Sequence, residues 1–172
     1  LGKGNYDTSY AVGIAQASTS ASAVKIYHNT VSDWFYALKL AGGSTVTIKN
    51  NILSSVGASS YPLAIAYNTV ERSSFASNYN LFYNATNHDQ IVYDTDAAAA
   101  IGFNDWTNRG GSWGYDWHSR KKNPKLKDNG HLKAGSPARR HGTTQYNVGV
   151  ETDAATRLQY DIDGDARTSP TD

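Results

Sequence analysis

Two short sequence patterns, each of apolar residues alternating with small or polar ones, occur in alternation along the first half of the chain. The first pattern begins with Tyr, and its three copies lie at residues 10–15, 36–41 and 61–66. The second pattern contains an Asn followed two residues later by an apolar residue, and its copies lie at residues 24–31, 46–53 and 75–82. A period of two predicts β-strands, and each copy is too short for a typical helix.

The length of the repeat limits the number of folds that the chain can adopt. Copies of the first pattern start 26 and 25 residues apart, so each repeat has room for two or three short strands. A leucine-rich repeat of this length needs regularly spaced Leu, and a propeller blade needs about 40 residues or more. The repeat therefore predicts an all-β parallel β-helix, a solenoid of about three coils, in which one coil is one turn of the chain.

Alignment of the second pattern places Asn29, Asn51 and Asn80 at one position. Equivalent positions of successive coils stack about 4.8 Å apart, so the three side-chain amides can bond to one another as an asparagine ladder. Asn also tolerates the left-handed backbone that tight corners require. We expect this ladder to be structural rather than catalytic.

Period two also predicts which side chains face outward. In the first pattern these are small residues and one lysine, a surface on which another layer of chain can pack closely. They are Ala11, Gly13, Ala15, Ala37, Lys39, Ala41, Pro62, Ala64 and Ala66.

In the second pattern, Lys25, Tyr27 and Lys49 are predicted to face outward within two coils of one another, near Trp34. Lysines can pair with the carboxylates of an acidic glycan, while aromatic rings supply stacking area. These four residues are the candidate substrate-binding site, and an acidic polysaccharide is the candidate partner. The alternative interpretation is an ordinary polar sheet surface.

Composition excludes several classes of protein. The 172 residues carry 16 Lys+Arg and 15 Asp+Glu, a net charge of +1, which argues against a nucleic-acid-binding protein. With no Cys, neither a disulfide framework nor a Cys-ligated zinc site can form. No apolar stretch approaches the roughly 18–20 residues that a membrane-spanning helix needs.

The second half of the chain carries a series of short motifs. These are Phe-Asn-Asp-Trp at 103–106, Gly-Tyr-Asp-Trp-His-Ser at 114–119, Asn-Pro-Lys-Leu at 123–126, His-Leu-Lys-Ala-Gly-Ser-Pro-Ala at 131–138 and Asp-Ile-Asp-Gly-Asp-Ala-Arg at 161–167. Their order resembles the C-terminal end of secreted, polysaccharide-acting right-handed parallel β-helix proteins of the pectin-lyase-like superfamily. The repeat predicts β-helix coils at 1–90, and its end predicts a non-repetitive C-terminal cap at 91–172. The resemblance implies a structural role for His118 and an extracellular or cell-surface location.

The resemblance implies a lyase as the leading chemistry, a β-elimination on an acidic glycan. Such chemistry needs a base and a group that neutralises the substrate carboxylate, and calcium, where it is used, is held by clustered acids. The acids of the repeat region, Asp7, Asp33, Glu71 and Asp89, share no column. We therefore expect the catalytic coils to lie outside this chain, the chain alone to be inactive, and its own catalytic residues to remain unknown.

We expect no metal site and no cofactor. The turn at 161–165 looks like a calcium loop, but its Gly stands fourth where an EF-hand has it sixth, so a plain turn is favoured over calcium. The basic stretch at 120–140 either binds an anionic polymer or pairs with the acidic tail. Asn84-Ala85-Thr86 is a formal glycosylation sequence.

A second class of function stays open, in which the chain is a non-catalytic adhesin, surface protein or filament subunit. Such subunits would assemble by stacking the ends of their β-helices. We expect Trp106, Trp113 and Trp117 to cover the C-terminal end of the stack. The N-terminal end would then be covered by upstream coils or by another copy of the chain.

Overall fold

The computed structural model of the chain describes residues 12–16, 23–41, 45–66, 75–109 and 115–139. Predictions that concern Ala11, Trp113 or the turn at residues 161–165 lie outside these ranges. In the described part, no helix has the length and hydrophobicity that a membrane-crossing helix needs.

The described residues form twelve short strands and one short helix. In chain order they are β1 Val12–Gln16, β2 Val24–Tyr27, β3 Thr30–Trp34, β4 Tyr36–Leu40, β5 Val46–Lys49, β6 Ile52–Ser55, β7 Tyr61–Ile65, β8 Phe75–Asn78, β9 Leu81–Asn84, β10 Gln90–Asp94, β11 Ala99–Gly102, α1 Phe103–Thr107 and β12 Arg120–Lys121.

The strands form three sheets, and β1 to β9 contribute one strand to each sheet in turn. Sheet I has the order β1-β4-β7-β10-β11, sheet II has β2-β5-β8, and sheet III has β12-β9-β6-β3. Pairing is parallel throughout except between β10 and β11. The prediction of an all-β chain with parallel strands is confirmed, and the arrangement is compatible with a β-helix.

The register of sheet II follows the sequence repeat, since Val24 pairs with Val46 and Val46 with Phe75. In sheet I, Tyr36 pairs with Tyr61 as the repeat predicts, but the first copy is shifted by two residues, because Leu38 pairs with Ile14 and not with Val12. Equivalent apolar side chains therefore stack in columns, and those columns form one buried core between the sheets. Since each strand has only two to five residues, this burial, rather than strand length, stabilises the sheets.

The prediction that Gly13 and Ala37 face outward is wrong. Ala37 and its neighbour Leu38 are both 0% exposed and both belong to the core, so strict alternation breaks at this point. A Cβ placed on Gly13 would lie 2.3 Å from Cγ1 of Val31 and 2.8 Å from the carbonyl oxygen of Ala37. Only glycine fits this close approach of β1 to its neighbours.

Tyr36 and Tyr61, which begin the second and third copies of the first pattern, lie outside the main core. Tyr36 and Tyr61 form a second cluster with Ala64, against which Tyr93 packs. Adjacent rings stack with centroids 6.4 Å apart for Tyr36 and Tyr61, and 4.9 Å apart for Tyr61 and Tyr93. The small residue Ala64 is covered by this cluster, as expected of a surface that another layer can approach closely.

Beyond residue 90 the chain adds strands to two of the sheets and closes the core. Strand β10 pairs with β7, and β12 pairs with β9. Trp106 of α1 is fully buried, and its ring lies 5.9 Å from that of Phe75 and 4.8 Å from that of Tyr115. The prediction that Trp117 also seals the core is wrong, because 63% of it is exposed.

We predict that Gly13→Ala lowers the free energy of unfolding by about 1–3 kcal/mol, the usual cost of forcing an atom into a packed core. The matched control is Gly102→Ala, whose new Cβ would meet no atom closer than 3.7 Å. Urea denaturation of both variants measures the difference. Equal stability of the two variants would contradict the close packing of β1 against β3 and β4.

Candidate functional site

The three predicted ladder residues lie in one continuous series of hydrogen bonds. Asn29 Nδ2 donates to Asn51 Oδ1, and Asn51 Nδ2 donates to Asn80 Oδ1, each at 3.1 Å. The backbone N–H groups of Asn29 and Asn51 donate to the same two oxygens at 3.0 Å. Each amide thus bonds both to a neighbouring side chain and to a backbone group at or near the corner.

The residue before each ladder asparagine has a left-handed backbone. The φ angles of His28, Asn50 and Tyr79 are 56°, 57° and 58°, a conformation that is uncommon for residues other than glycine. It turns the chain sharply from sheet II into sheet III. Nδ2 of Asn50 lies 3.3 Å from Nε2 of His28, and the Tyr79 ring stacks on His118 with centroids 4.7 Å apart.

The ladder ends on a buried carboxylate, Asp116, which is 0% exposed. Oδ1 of Asp116 accepts from Asn80 Nδ2 at 2.9 Å and from the hydroxyl of Ser119. Oδ2 accepts from Trp106 Nε1 at 2.8 Å and from the hydroxyl of Ser77. The ladder, α1 and the segment at 115–119 are therefore joined at a single carboxyl group.

Burial raises the pKa of Asp116, because the ionised form loses hydration, and its four hydrogen bonds oppose this rise. The group is closed to solvent, so it cannot touch a substrate. Its physical role is to hold residues 115–119 against β8. Sequence reasoning quoted Asp116 only within a motif, because its four partners come from separate segments of the chain.

The structure brings three of the four predicted substrate-binding residues together on sheet II. Tyr27 pairs in register with Lys49, and Lys25 lies two residues before Tyr27 on the same strand. Lys49 in turn pairs with Asn78 of β8. Lys25 is exposed, and Tyr27 and Lys49 are partly exposed.

The fourth residue, Trp34, lies apart from the other three. It is on β3 in sheet III, where its register partner is Ser55, and its ring packs against the core. The aromatic residue that the structure places beside sheet II is Trp117, since the N–H groups of its neighbours Asp116 and His118 donate to the Ser77 carbonyl oxygen and to Asn78 Oδ1 at the end of β8. Sequence reasoning missed Trp117 because it assigned this residue to the covered end of the stack.

The outward positions of sheet II carry positive charge and no acid. The side chains at these positions are Lys25, Tyr27, Thr47, Lys49, Ala76 and Asn78. Asp116, whose N–H donates to Ser77 on β8, is fully buried and so adds no exposed acid to this face. The face therefore presents two ammonium groups with aromatic neighbours, a combination suited to an anionic ligand with apolar ring faces.

Other candidate sites are occupied by structural contacts. Asn84 of the glycosylation sequence is 1% exposed, and its Nδ2 donates to the carbonyl oxygens of Ser60 and Gln90 at 2.6 and 3.0 Å. In the basic stretch, Lys121 bonds to Asp89 and lowers the pKa of that carboxyl. Among the described residues, no three His, Cys, Asp or Glu side chains group as metal ligands.

The tyrosine cluster on sheet I is a weaker candidate for binding. Burial and the neighbouring Tyr93 raise the pKa of the Tyr61 hydroxyl. Tyr36 and Tyr61 are both less than a tenth exposed, so their ring faces are not available to a ligand. Sheet II is therefore the surface on which a functional interpretation rests.

Comparison of the chain with protein-family models, with curated proteins and with solved structures finds no match. The similarity of the closing motifs to pectin-lyase-like proteins therefore stays a resemblance. A functional proposal depends on the geometry of sheet II and its corner.

We predict that Asp116→Asn lowers the free energy of unfolding by about 1–3 kcal/mol, since an amide nitrogen would face at least one buried donor. The loss should be largest near pH 4. The raised pKa means that the folded wild type binds more protons than the unfolded chain above the ordinary value of 3.8, so its stability falls as pH rises. Urea denaturation from about pH 4 to about pH 7 measures this. If the stability difference between wild type and Asp116→Asn increased with pH, the raised pKa of Asp116 would be contradicted.

Proposed function

We propose that this chain is the C-terminal part of an extracellular right-handed parallel β-helix protein that acts on polysaccharides, and that this part binds an acidic glycan. Three successive visits to sheets I, II and III, and the ladder between them, support about three coils followed by a cap. Crossovers between parallel strands are right-handed in about 98% of cases, which supports that hand.

The observation that carries the proposal is the pairing of Tyr27 with Lys49 beside Lys25, on strands whose described outward positions hold no acid. A lysine ammonium attracts a uronate carboxylate, and a tyrosine ring gives apolar contact area. One exposed ion pair contributes only about 0–1 kcal/mol, so single sugars should bind weakly. A polymer that engages several such contacts at once gains affinity through multivalency.

The proposed reaction of the whole protein is β-elimination, with its catalytic residues outside this chain. Elimination needs an accessible base beside a group that neutralises the substrate carboxylate. Asp116, the most strongly hydrogen-bonded acid of the described region, is closed to solvent. This proposal requires no metal or cofactor in the chain itself, and the chain should bind the polymer without cleaving it.

We predict that the protein is retarded in native gels that contain polygalacturonate, and that Lys25→Ala/Lys49→Ala weakens this binding at least about fivefold. The control is Lys127→Ala/Lys133→Ala, which removes the same net charge from another part of the chain. Fully methyl-esterified polymer should not retard the protein. Equal losses in both double variants would contradict a site on sheet II, and release of unsaturated uronate would contradict a catalytic centre outside the chain.

A second candidate function is assembly with other copies of the chain. Strands β1, β2 and β3 stand at the ends of sheets I, II and III. They follow one another along the chain, so three strand edges lie at the same end of the molecule. Such edges can bond to the strands of another chain. This geometry favours the adhesin or filament alternative, in which β-helices stack end to end.

If this second candidate is correct, sedimentation velocity will show association that increases with protein concentration. Ala15→Lys places a charge at an exposed position of β1 and should shift the protein towards monomer. A monomer at every concentration would contradict assembly through this end.

A further inference from the structure

Trp117 is an exposed aromatic residue on a firmly held backbone. Its neighbour Asp116 is fully buried, and the Asp116 N–H donates to the carbonyl oxygen of Ser77 at 2.8 Å. On the other side, the N–H of His118 donates to Asn78 Oδ1 at 2.8 Å. These bonds hold the backbone on both sides of Trp117, while 63% of the residue remains exposed.

The surroundings of Trp117 combine ring faces with polar groups. The rings of Tyr79 and His118 stack almost in parallel, with an angle of 4° between their planes. Asn78 Nδ2 lies 3.1 Å from Nδ1 of His118. An indole, a stacked ring pair and an amide thus lie at the same edge of sheet II.

Because Trp117 is exposed to solvent, it does not contribute the stabilising free energy that burial of its ring would give. A tryptophan offers about 150–250 Å² of surface, and burial of apolar surface stabilises by about 25 cal/mol per Å². Trp106, only eleven positions earlier, is fully buried. An exposed tryptophan on a firmly held backbone beside a cationic face is well placed to contact a ligand.

We propose that Trp117, with Tyr79 and His118, stacks on a sugar ring of the acidic polysaccharide and forms a second subsite beside the lysines. This inference rests on the proposed function. Lys49 pairs with Asn78 across one strand spacing of about 4.8 Å, and Trp117 lies one segment further along the stack, where its neighbour His118 donates to Asn78 Oδ1. Two such spacings are roughly 10 Å, so a glycan that reaches both Lys49 and Trp117 crosses the strands and contains more than one sugar residue.

The test is calorimetric titration with oligogalacturonates of increasing length. For the wild type, we expect affinity to rise when the oligomer becomes long enough to reach both Lys49 and Trp117. Trp117→Ala should remove that rise and raise the Kd of the longer oligomers at least about fivefold. Trp117→Phe keeps a ring and should retain most of the affinity.

The matched control is Tyr83→Ala. Tyr83 also stacks on a histidine, His88, with centroids 5.8 Å apart, but it lies on sheet III. This variant should bind all oligomers like the wild type. Thermal unfolding of each variant checks that it folds, which we expect for Trp117→Ala because the side chain is mostly exposed.

The outcomes separate the two proposals. If Lys25→Ala/Lys49→Ala weakens binding and Trp117→Ala does not, the stacking subsite is wrong and the glycan-binding function stands. If Tyr83→Ala weakens binding as much as Trp117→Ala, the effect is not specific to this subsite and the inference is overturned. If no oligomer binds to the wild type, both proposals are wrong.

Discussion

A corner between two short strands of different sheets interrupts the regular backbone pairing, so N–H and C=O groups at the corner need other hydrogen-bond partners. Buried groups of this kind need a partner, or they cost the fold about 1–3 kcal/mol each. In this chain the partner is a column of side-chain amides. Asn51 alone donates to the carbonyl oxygens of Ile26 and Lys49 and accepts from the N–H of Asn29. The corner between sheets II and III therefore depends on one residue type at one position in each repeat.

The same column connects the repeat to the segment that follows it. At the next position the backbone N–H of Asn80 donates to Ser119 Oγ at 2.7 Å, so a serine takes the place of an asparagine. Asp116 then accepts from the side chains of both residues. Because this carboxyl group fixes residues 115–119 on β8, the ladder also determines where Trp117 lies. Structure and proposed function are linked through these bonds.

Much of the repeat region was predictable from the sequence because stacking preserves spacing. Asn29, Asn51 and Asn80 are each followed two positions later by an apolar residue, so the sequence alone predicted that they form a column. The orientation of Ala37 was not predictable in this way. Strict alternation assumes that a strand stays regular, and here Ala37 and Leu38 both enter the core.

The site was only partly predictable. Lys25, Tyr27 and Lys49 followed from the alternation of a regular strand, and they share sheet II. Trp34 and Trp117 were assigned to the wrong surroundings for different reasons. Trp34 is near the patch in sequence, but the corner at residues 28–29 carries it into another sheet. Trp117 lies beside β8 because its neighbours Asp116 and His118 bond to Ser77 and Asn78, and no repeat in the sequence indicates these bonds.

The exchange of side-chain amide protons measures the ladder most directly. In a nuclear magnetic resonance experiment in deuterated water, the Nδ2 protons of Asn51 and Asn80 should exchange far more slowly than those of the exposed Asn87. Asn29, at the partly buried end of the column, should be intermediate. Exchange of Asn51 and Asn80 as fast as that of Asn87 would contradict the hydrogen-bonded column on which this account depends.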